Sequence, residues 1–369
     1  MARRGKWKGL KRAAVTATAL LAVTAAAGSA PAQAASGWQV VRQQPTDPLS
    51  AYVAFDNASG VGQTSYQPAC KDWCNPVKKL WLRKGGDWKQ LPTQPRMAAD
   101  VLAGTATDDV WAFGETLTPT QTGSGEFHAY YWDGSRWLDR SLKGLNVGAA
   151  KAISRNDVWA VGDIKEGDGK RWVAAHWDGS SWSTTELPGD AFGLRAIDVA
   201  SGKDVWVAGG DYNNRPYAAH WDGTAWREVK LPSSASVNPS AIISRGANDV
   251  WIGGDAFPGI ESLKTVPVAM HWDGTRWAEH SLPDDTVINT RFNAFAYHNG
   301  ELWTGLSWGD GATLWRWNGK DWQKTGDPVA SLWGANNLQS TADGTLWFEG
   351  SLQPLGNSPG YLASLPPAA

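Results

Sequence analysis

A repeated tryptophan motif constrains the fold of this chain more than any other feature. The segment AAHWDGSSW at 174–182 returns as AAHWDGTAW at 218–226 and as AMHWDGTRW at 269–277. A second motif, of the type NDVWAVGD, recurs at spacings of 48, 47, 45, 52 and 44 residues around Trp111, Trp159, Trp206, Trp251, Trp303 and Trp347. Periods of this size are typical of repeat architectures, in which each repeat is one supersecondary unit.

Each part of the unit has the pattern of a short β-strand. Runs rich in Val, Trp, Ile and Ala are bounded by Gly, Asp, Asn and Pro, a pattern of strands rather than helices. The Asp-Gly step between Trp177 and Trp182 predicts a tight hairpin turn that brings the two rings together. The Leu-Pro steps at 187–188, 231–232 and 282–283 would end an outer strand. With one further strand before each Val-Trp segment, the unit has four strands in about 46 residues, the size of a propeller blade.

Counting the units gives the architecture. Six strands of the Val-Trp type give six units, and residues 50–92 supply a seventh in which Arg83 takes the place of the turn tryptophan. The last unit lacks an outer strand, and SGWQVVRQQP at 36–45 resembles one, with Trp38 matching Trp182. The sequence therefore predicts an all-β, seven-bladed β-propeller of four-stranded blades, with the N-terminal strand completing the last blade.

The repeated side chains are interpreted as scaffold. A tryptophan that recurs at blade spacing is expected to pack between blades. The aspartate that opens the Val-Trp strands is expected to accept hydrogen bonds from turn amides, at Asp109, Asp157, Asp204 and Asp249. His176, His220 and His271 occur once per blade, so they cannot converge on one metal ion and are given a structural or surface role.

The N-terminal segment is interpreted as a targeting signal. Six basic residues precede an apolar run that ends at Ala27, and Ala32-Gln33-Ala34 resembles a cleavage site. We therefore expect residues 1–34 to be a secretory signal peptide and residues 35–369 to be a single propeller domain of a secreted, extracellular protein. The remaining chain has 28 basic and 36 acidic side chains, which argues against a nucleic-acid partner. No later segment is apolar enough for membrane insertion.

The cysteines and the known catalytic motifs do not indicate a specific reaction. Cys70 and Cys74 are expected to form a local disulfide outside the cell, since a CxxxC pair without a second ligand pair is a poor zinc site. No cofactor and no catalytic residue are predicted, because no Ser-His-Asp order, HExxH motif or phosphate-binding loop is present. Paired carboxylates for glycoside cleavage stay open, since a sequence does not give their separation.

The DVW and WDG motifs carry a resemblance to known proteins. The chain resembles secreted bacterial tryptophan-rich β-propeller proteins, and its Trp-Asp-Gly turns look closer to lectin-type propellers than to WD-repeat proteins. The Gly-His and terminal Trp-Asp pairs of WD repeats are absent at their spacing. The leader followed by a solitary propeller is also similar to the lectin subunits of the umbrella-like toxin particles of filamentous actinobacteria. The resemblance implies a carbohydrate-binding module, but propellers also host scaffolds and enzymes.

Residues that interrupt the repeat mark a candidate ligand surface. In a blade the first strand starts, and the second ends, at the same face of the ring. Acidic residues follow most second strands, at Glu115, Asp163, Asp211, Asp255 and Asp310. Basic or amide residues open first strands, at Lys151, Arg195, Arg291 and Asn336. Irregular aromatic residues lie close by in sequence, at Trp172, Tyr212, Tyr217, Trp308 and Trp333.

This mixture of side chains suits carbohydrate. Carboxylate and guanidinium groups bond to sugar hydroxyls while aromatic faces cover the apolar side of a pyranose. The predicted ligand-binding set is Asp163, Asp211, Asp255, Asp310, Arg195, Arg291, Trp172, Trp308, Trp333 and Tyr212. Three alternatives stay open: solvated loop residues with packing rings, a face that docks a protein partner such as a secreted toxin complex, and a glycoside hydrolase or lyase.

Overall fold

The chain folds into a ring of β-sheets. The computed structural model describes residues 37–44, 49–66, 77–92, 97–116, 126–167, 169–211, 213, 215–232, 236–257, 265–282, 290–308, 311–329, 332–352 and 360–368. These residues form 28 strands in seven four-stranded antiparallel sheets and no helix, which confirms the predicted seven-bladed β-propeller. Within these ranges, no helix capable of crossing a membrane is found. The predicted leader and its boundary at residue 34 lie outside them.

The seven blades, numbered in chain order, share one strand order. The first and innermost strands are β2 (Leu49–Ala54), β6 (Met97–Ala106), β10 (Leu145–Ser154), β14 (Ala191–Ser201), β18 (Ser236–Ser244), β22 (Arg291–His298) and β26 (Gly334–Ser340). The second strands are β3 (Ser59–Tyr66), β7 (Asp109–Thr116), β11 (Asp157–Glu166), β15 (Asp204–Asp211), β19 (Val250–Phe257), β23 (Glu301–Trp308) and β27 (Leu346–Ser351).

The outer half of each blade is a hairpin. The third strands are β4 (Val77–Lys84), β8 (Phe127–Trp132), β12 (Gly169–Trp177), β16 (Pro216–Trp221), β20 (Val266–Trp272), β24 (Gly311–Trp317) and β28 (Gly360–Leu365). The outermost strands are β5 (Asp87–Gln90), β9 (Trp137–Asp139), β13 (Trp182–Glu186), β17 (Trp226–Glu228), β21 (Trp277–Ser281), β25 (Trp322–Lys324) and, in blade seven, β1 (Gln39–Gln44).

The N-terminal strand completes the last blade, as predicted. β1 pairs antiparallel with β28, from Gln39 opposite Ser364 to Gln44 opposite Gly360. Trp38 is 7% exposed, and its ring lies edge-on to Phe348 at 6.2 Å. The first and last parts of the chain are thus joined in one sheet, which covers the edge that β28 would otherwise expose.

The Asp-Gly hairpins form the tight turns that the sequence predicts. Gly179 has a φ of 96°, a backbone conformation that suits glycine. Oδ1 of Asp178 accepts hydrogen bonds from the amides of Ser180 and Ser181 at 2.8 and 2.9 Å. Trp177 and Trp182 are opposite each other across the hairpin, with ring centroids 5.7 Å apart. The aspartate therefore fixes the turn, and the turn fixes the tryptophan pair.

The recurring tryptophans pack between blades, which confirms their scaffold role. Trp111 of blade two is fully buried and lies 5.4 Å from Trp177 and 5.5 Å from Trp182 of blade three. Equivalent contacts join the next blades through Trp159 with Trp226, Trp206 with Trp277, and Trp251 with Trp322. Each buried ring removes a large apolar area from water, so these contacts hold neighbouring blades together.

The contact between blades seven and one uses different chemistry. Register places Arg83 opposite Trp88, where blades two to six have the turn tryptophan, as predicted. The Arg83 guanidinium lies 5.0 Å from the ring of Trp347, and Arg42 of β1 lies 4.8 Å from the ring of Trp88. Cation–π contacts therefore supplement ring packing between blades seven and one.

The aspartates of the Val-Trp strands have partners other than those predicted. Oδ1 of Asp157 lies 2.8 Å from Nε2 of His176, not against turn amides, and the imidazole stacks on Trp159 at 4.2 Å. The same arrangement joins Asp204 with His220 at 2.7 Å and Asp249 with His271 at 2.9 Å. The prediction of turn amides was wrong because antiparallel pairing places a histidine of the third strand beside the start of the second.

Candidate functional site

Three of the predicted acidic residues lie at one face of the ring because of the strand order. First strands begin and second strands end at what we call the upper face of the ring. The registers pair Asn146 with Asp163 in blade three and Ala191 with Asp211 in blade four. In blade five, Asn238 pairs with Asp255. Carboxylates from consecutive blades thus lie at the upper face.

Asp163 is held inside its own blade. The residue is 4% exposed, and its two oxygens bond to Nδ2 of Asn146 and Nζ of Lys170, both at 3.1 Å. A buried carboxylate needs such partners to offset the loss of hydration. The contacts of Asp163 therefore stabilise the upper end of blade three.

Asp255 links two blades. Its Oδ1 accepts a hydrogen bond from the amide of Phe292 at 2.7 Å, which connects blade five to blade six. Burial raises the pKa of Asp255 to about 6, although this hydrogen bond and the charge of Arg291 oppose the shift. Arg291 itself is exposed at the start of β22.

Asp211 fixes a short loop at the end of β15. Its Oδ1 accepts hydrogen bonds from the amides of Asn213 and Arg215 at 2.7 and 2.8 Å. Desolvation acts to raise the pKa of Asp211, but these bonds and the Arg215 charge outweigh it and lower the pKa. The carboxylate is thus a preorganised anion at the upper face.

A pocket of about 460 Å³ lies beside Asp211, between blades four and five. We call it the blade 4–5 pocket, and its lining residues are Phe192, Gly193, Arg195, Gly210, Asp211, Val237, Asn238 and Phe257. Phe192 and Phe257 are 41% and 47% exposed, which is unusual for side chains of this size. The ring of Trp172 lies edge-on to Phe192 at 5.7 Å and supports it from blade three. Aromatic, charged and amide groups therefore share one concave site.

Arg195 connects this pocket to the central channel. Its side chain is exposed and lines both cavities. Among the residues placed by the structure, none makes a hydrogen bond, an ion pair or a cation–π contact with the guanidinium of Arg195. Arg195 is thus a charged group available to a ligand.

The central channel is a second cavity, of about 560 Å³, lined by first strands of all seven blades. Several of its polar side chains bond to groups of the neighbouring blade. Nζ of Lys151 lies 3.3 Å from Oδ1 of Asp198, whose Oδ2 accepts a hydrogen bond from the amide of Ser244 at 2.8 Å. Gln339 bonds to backbone atoms of Tyr52 and Ala54 at 2.9 and 3.0 Å. These contacts hold the ring together and leave the blade 4–5 pocket as the better ligand site.

The other predicted residues that the structure describes do not line this pocket. Trp308 ends β23 in blade six, where its ring covers Gly311 so closely that an added Cβ would lie 2.6 Å away. Trp333 precedes β26 in blade seven, and its amide donates to the carbonyl of Ser351 at 2.8 Å. Asp310 and Tyr212, like Cys70 and Cys74, lie outside the described residues. The structure thus brings together Arg195, Asp211 and, behind Phe192, Trp172.

Sequence reasoning did not select Phe192, Phe257 and Asn238. Phe257 is one of eight phenylalanines in the chain and stands two residues after Asp255, one of the acidic residues selected from the sequence. This position was the one sequence feature that could have indicated Phe257. Among the residues placed here, no three His, Cys, Asp or Glu side chains are grouped as a metal site would require.

Comparisons with known proteins show the fold. No protein-family profile matches the sequence, and no curated protein matches it. Among solved structures, YCF48 bound to a D1 peptide is 14% identical with a TM-score of 0.58, over 92% of this chain and 99% of that one. The β-propeller domain of the Trilobed protease from Pyrococcus furiosus is 10% identical with a TM-score of 0.57, over 87% and 95%.

In a third structure the similarity covers about half of an enzyme chain. The GH74 xyloglucanase from Xanthomonas campestris is 13% identical with a TM-score of 0.55, over 90% of this chain and 55% of that one. At these identities the three structures share the β-propeller architecture with this chain, and the architecture does not determine activity.

Proposed function

We propose that this chain is a secreted β-propeller that binds carbohydrate through the blade 4–5 pocket. The observation that carries the proposal is the pair of exposed rings, Phe192 and Phe257, in one cavity with Asp211 and Asn238. Aromatic rings cover the C–H faces of a pyranose, and carboxylate and amide groups bond to its hydroxyls. A cavity of about 460 Å³ falls in the range of small-molecule sites.

Secretion is part of the same proposal. The leader at residues 1–34 has the basic, apolar and small-residue regions of a signal peptide. Export would place the pocket among cell-surface glycans and extracellular polysaccharides.

Protein docking is the second candidate, and the exposure of Phe192 and Phe257 supports it too. Exposed apolar side chains beside polar groups are also a feature of protein interfaces. A partner subunit in a secreted toxin particle would then cover this face. Glycoside hydrolysis has less support, because Asp211 is the one carboxylate among the described lining residues, whereas such enzymes use two.

The test measures retention by sugars and its dependence on the pocket. Secreted protein is applied to a glycan array and to affinity gels that contain soluble polysaccharides, with free oligosaccharide as competitor. Phe192→Ala and Phe257→Ala should each weaken retention by about tenfold or more, since each removes one face of the site. Ile153→Ala is the matched control, because Ile153 is 37% exposed near the end of β10, at the opposite face.

Two results would overturn carbohydrate binding. The first is retention that is equal in the phenylalanine variants and in Ile153→Ala. The second is the absence of competable retention together with a defined secreted complex that Phe257→Ala dissociates, which would establish protein docking. Thermal unfolding of each variant should stay near that of the unaltered protein, because the two rings are exposed.

A further inference from the structure

We infer that the blade 4–5 pocket takes a carbohydrate bearing a carboxylate or sulfate group, which the guanidinium of Arg195 binds. This inference rests on the proposed function and adds that the bound carbohydrate is negatively charged. Its basis is the difference between Arg195 and the other charged side chains around the two cavities.

The neighbouring lysines are already paired within the protein. Lys170 lies 3.1 Å from Asp163, and Lys151 lies 3.3 Å from Asp198. Arg195 has no such partner among the residues that the structure places, and it faces two cavities at once. A planar guanidinium presents two parallel donors to a carboxylate or sulfate, so an anionic ligand would complete its coordination.

The described lining residues of the pocket include one cationic and one anionic side chain. Asp211 is the single carboxylate among the lining residues described here, and one of its oxygens is occupied by the amides of Asn213 and Arg215. The side chain of Arg215 is exposed and interacts electrostatically with that carboxylate. The charge of Asp211 is therefore offset by groups of its own loop, and Arg195 is the one cationic side chain among the described lining residues.

The positions of Arg195 and Asp211 determine how the ligand would be oriented. Arg195 lines both the channel and the pocket, whereas Asp211 lines the pocket alone. An anionic substituent would thus lie toward the channel, and hydroxyl groups would lie toward Asp211. Phe192 and Phe257 line the same cavity and would contact the apolar faces of the sugar.

The surroundings disfavour unspecific binding of polyanions. Without residues 1–34 the chain has 28 basic and 36 acidic side chains, so its overall field repels anionic polymers. Binding of an acidic glycan would therefore depend on a local site.

The experiment compares polymers that share a backbone and differ in charge. Affinity gels contain polygalacturonate or its fully methyl-esterified form, and dextran sulfate or dextran. The two pairs separate a carboxylate ligand from a sulfate ligand. We expect at least one charged polymer to retain the protein about tenfold more strongly than its neutral partner, and raised salt to reduce the difference.

Variants assign the preference to one side chain. Arg195→Gln should reduce retention by the charged polymer to the level of the neutral one, and Arg195→Lys should keep part of the preference. Arg291→Gln is the matched control, since Arg291 is exposed at the same face and does not line the pocket. Equal effects of Arg195→Gln and Arg291→Gln would overturn the inference.

The remaining outcomes separate this inference from the proposed function. Equal retention by charged and neutral polymers that Phe257→Ala abolishes would refute the acidic ligand and support carbohydrate binding. Retention by charged polymers that survives Phe192→Ala and Phe257→Ala would refute the assigned site. Absence of retention by all four polymers and by the glycan array would refute both proposals.

Discussion

Nε2 of His176 lies 2.8 Å from Oδ1 of Asp157, and the bond joins the second and third strands of blade three. Blade six has a different pair at the same place, in which Nη1 of Arg316 lies 3.0 Å from Glu301. Two chemically distinct polar pairs thus occupy equivalent positions of the repeat. Blades three to six therefore share a donor–acceptor pair at this position, built from more than one combination of residue types.

We expect the His176 and Asp157 side chains to be energetically coupled. Replacing either by alanine should lower the free energy of unfolding by about 1–2 kcal/mol, because a hydrogen bond to a charged group is lost at a partly exposed site. A double-mutant cycle measured by urea unfolding should give a coupling energy of similar size. Additive losses from the two single variants would contradict this prediction.

Ring closure by β1 should determine solubility. A protein that begins at residue 46 lacks the strand that pairs with β28 and the ring of Trp38. The exposed edge of β28 should then promote association, and the melting temperature should fall by several degrees. Light scattering and thermal unfolding measure both effects, with a protein that begins at residue 37 as control. A monomeric truncated protein with unchanged melting would show that closure is dispensable.

The repeat made the fold predictable, since blades two to six present the same strand and turn signals and the other two units could be matched to them. The polar partners were less predictable, because the bonds of Asp163 to Lys170 and of Asp157 to His176 depend on cross-strand register. Phe192 and Phe257 were missed for a related reason. They lie where the repeat is interrupted, and no sequence pattern states which irregular side chains from adjacent blades will share one cavity.

The two cysteines are expected to be joined in the secreted protein. Cys70 and Cys74 are the only cysteines in the chain, and an oxidising compartment favours their pairing. A loop this short contributes little through chain entropy, so reduction should change the melting temperature only slightly. Mass spectrometry of alkylated, unreduced protein checks the bond. Two alkylated thiols would contradict it.

Replacing a scaffold residue should lower stability, whereas replacing a site residue should reduce ligand binding. Trp177 is 6% exposed and packs against Trp111, so Trp177→Ala should lower the free energy of unfolding by about 3–5 kcal/mol. Phe257→Ala should leave stability within about 0.5 kcal/mol of the unaltered protein and reduce ligand binding. Urea unfolding and affinity gels give the two readouts. A stable Trp177→Ala protein that fails to bind would make the repeated tryptophans the ligand surface.

Glu349 gives the protein a pH-dependent stability. It lies on β27 and is 3% exposed, and burial raises its pKa from 4.5 to about 7 against a hydrogen bond with the backbone of Tyr52. Between these two pKa values the folded protein binds more protons than the unfolded chain, so stability falls as pH rises. The fall should begin near pH 4.5 and end near pH 7, with a total of about 3 kcal/mol from this group.

Glu349→Gln should remove this component, because the amide stays neutral at every pH. Urea unfolding between pH 5 and pH 8 should then give a flatter profile than that of the unaltered protein, with the larger gain in stability at the high-pH end. Glu279→Gln, at an exposed position of β21, is the control and should leave the slope unchanged. Asp255 has a raised pKa of about 6 and acts in the same direction, so the Glu349→Gln profile should keep a smaller decline below pH 6. Parallel profiles for Glu349→Gln and the unaltered protein would show that Glu349 is ionised in the folded state throughout this range.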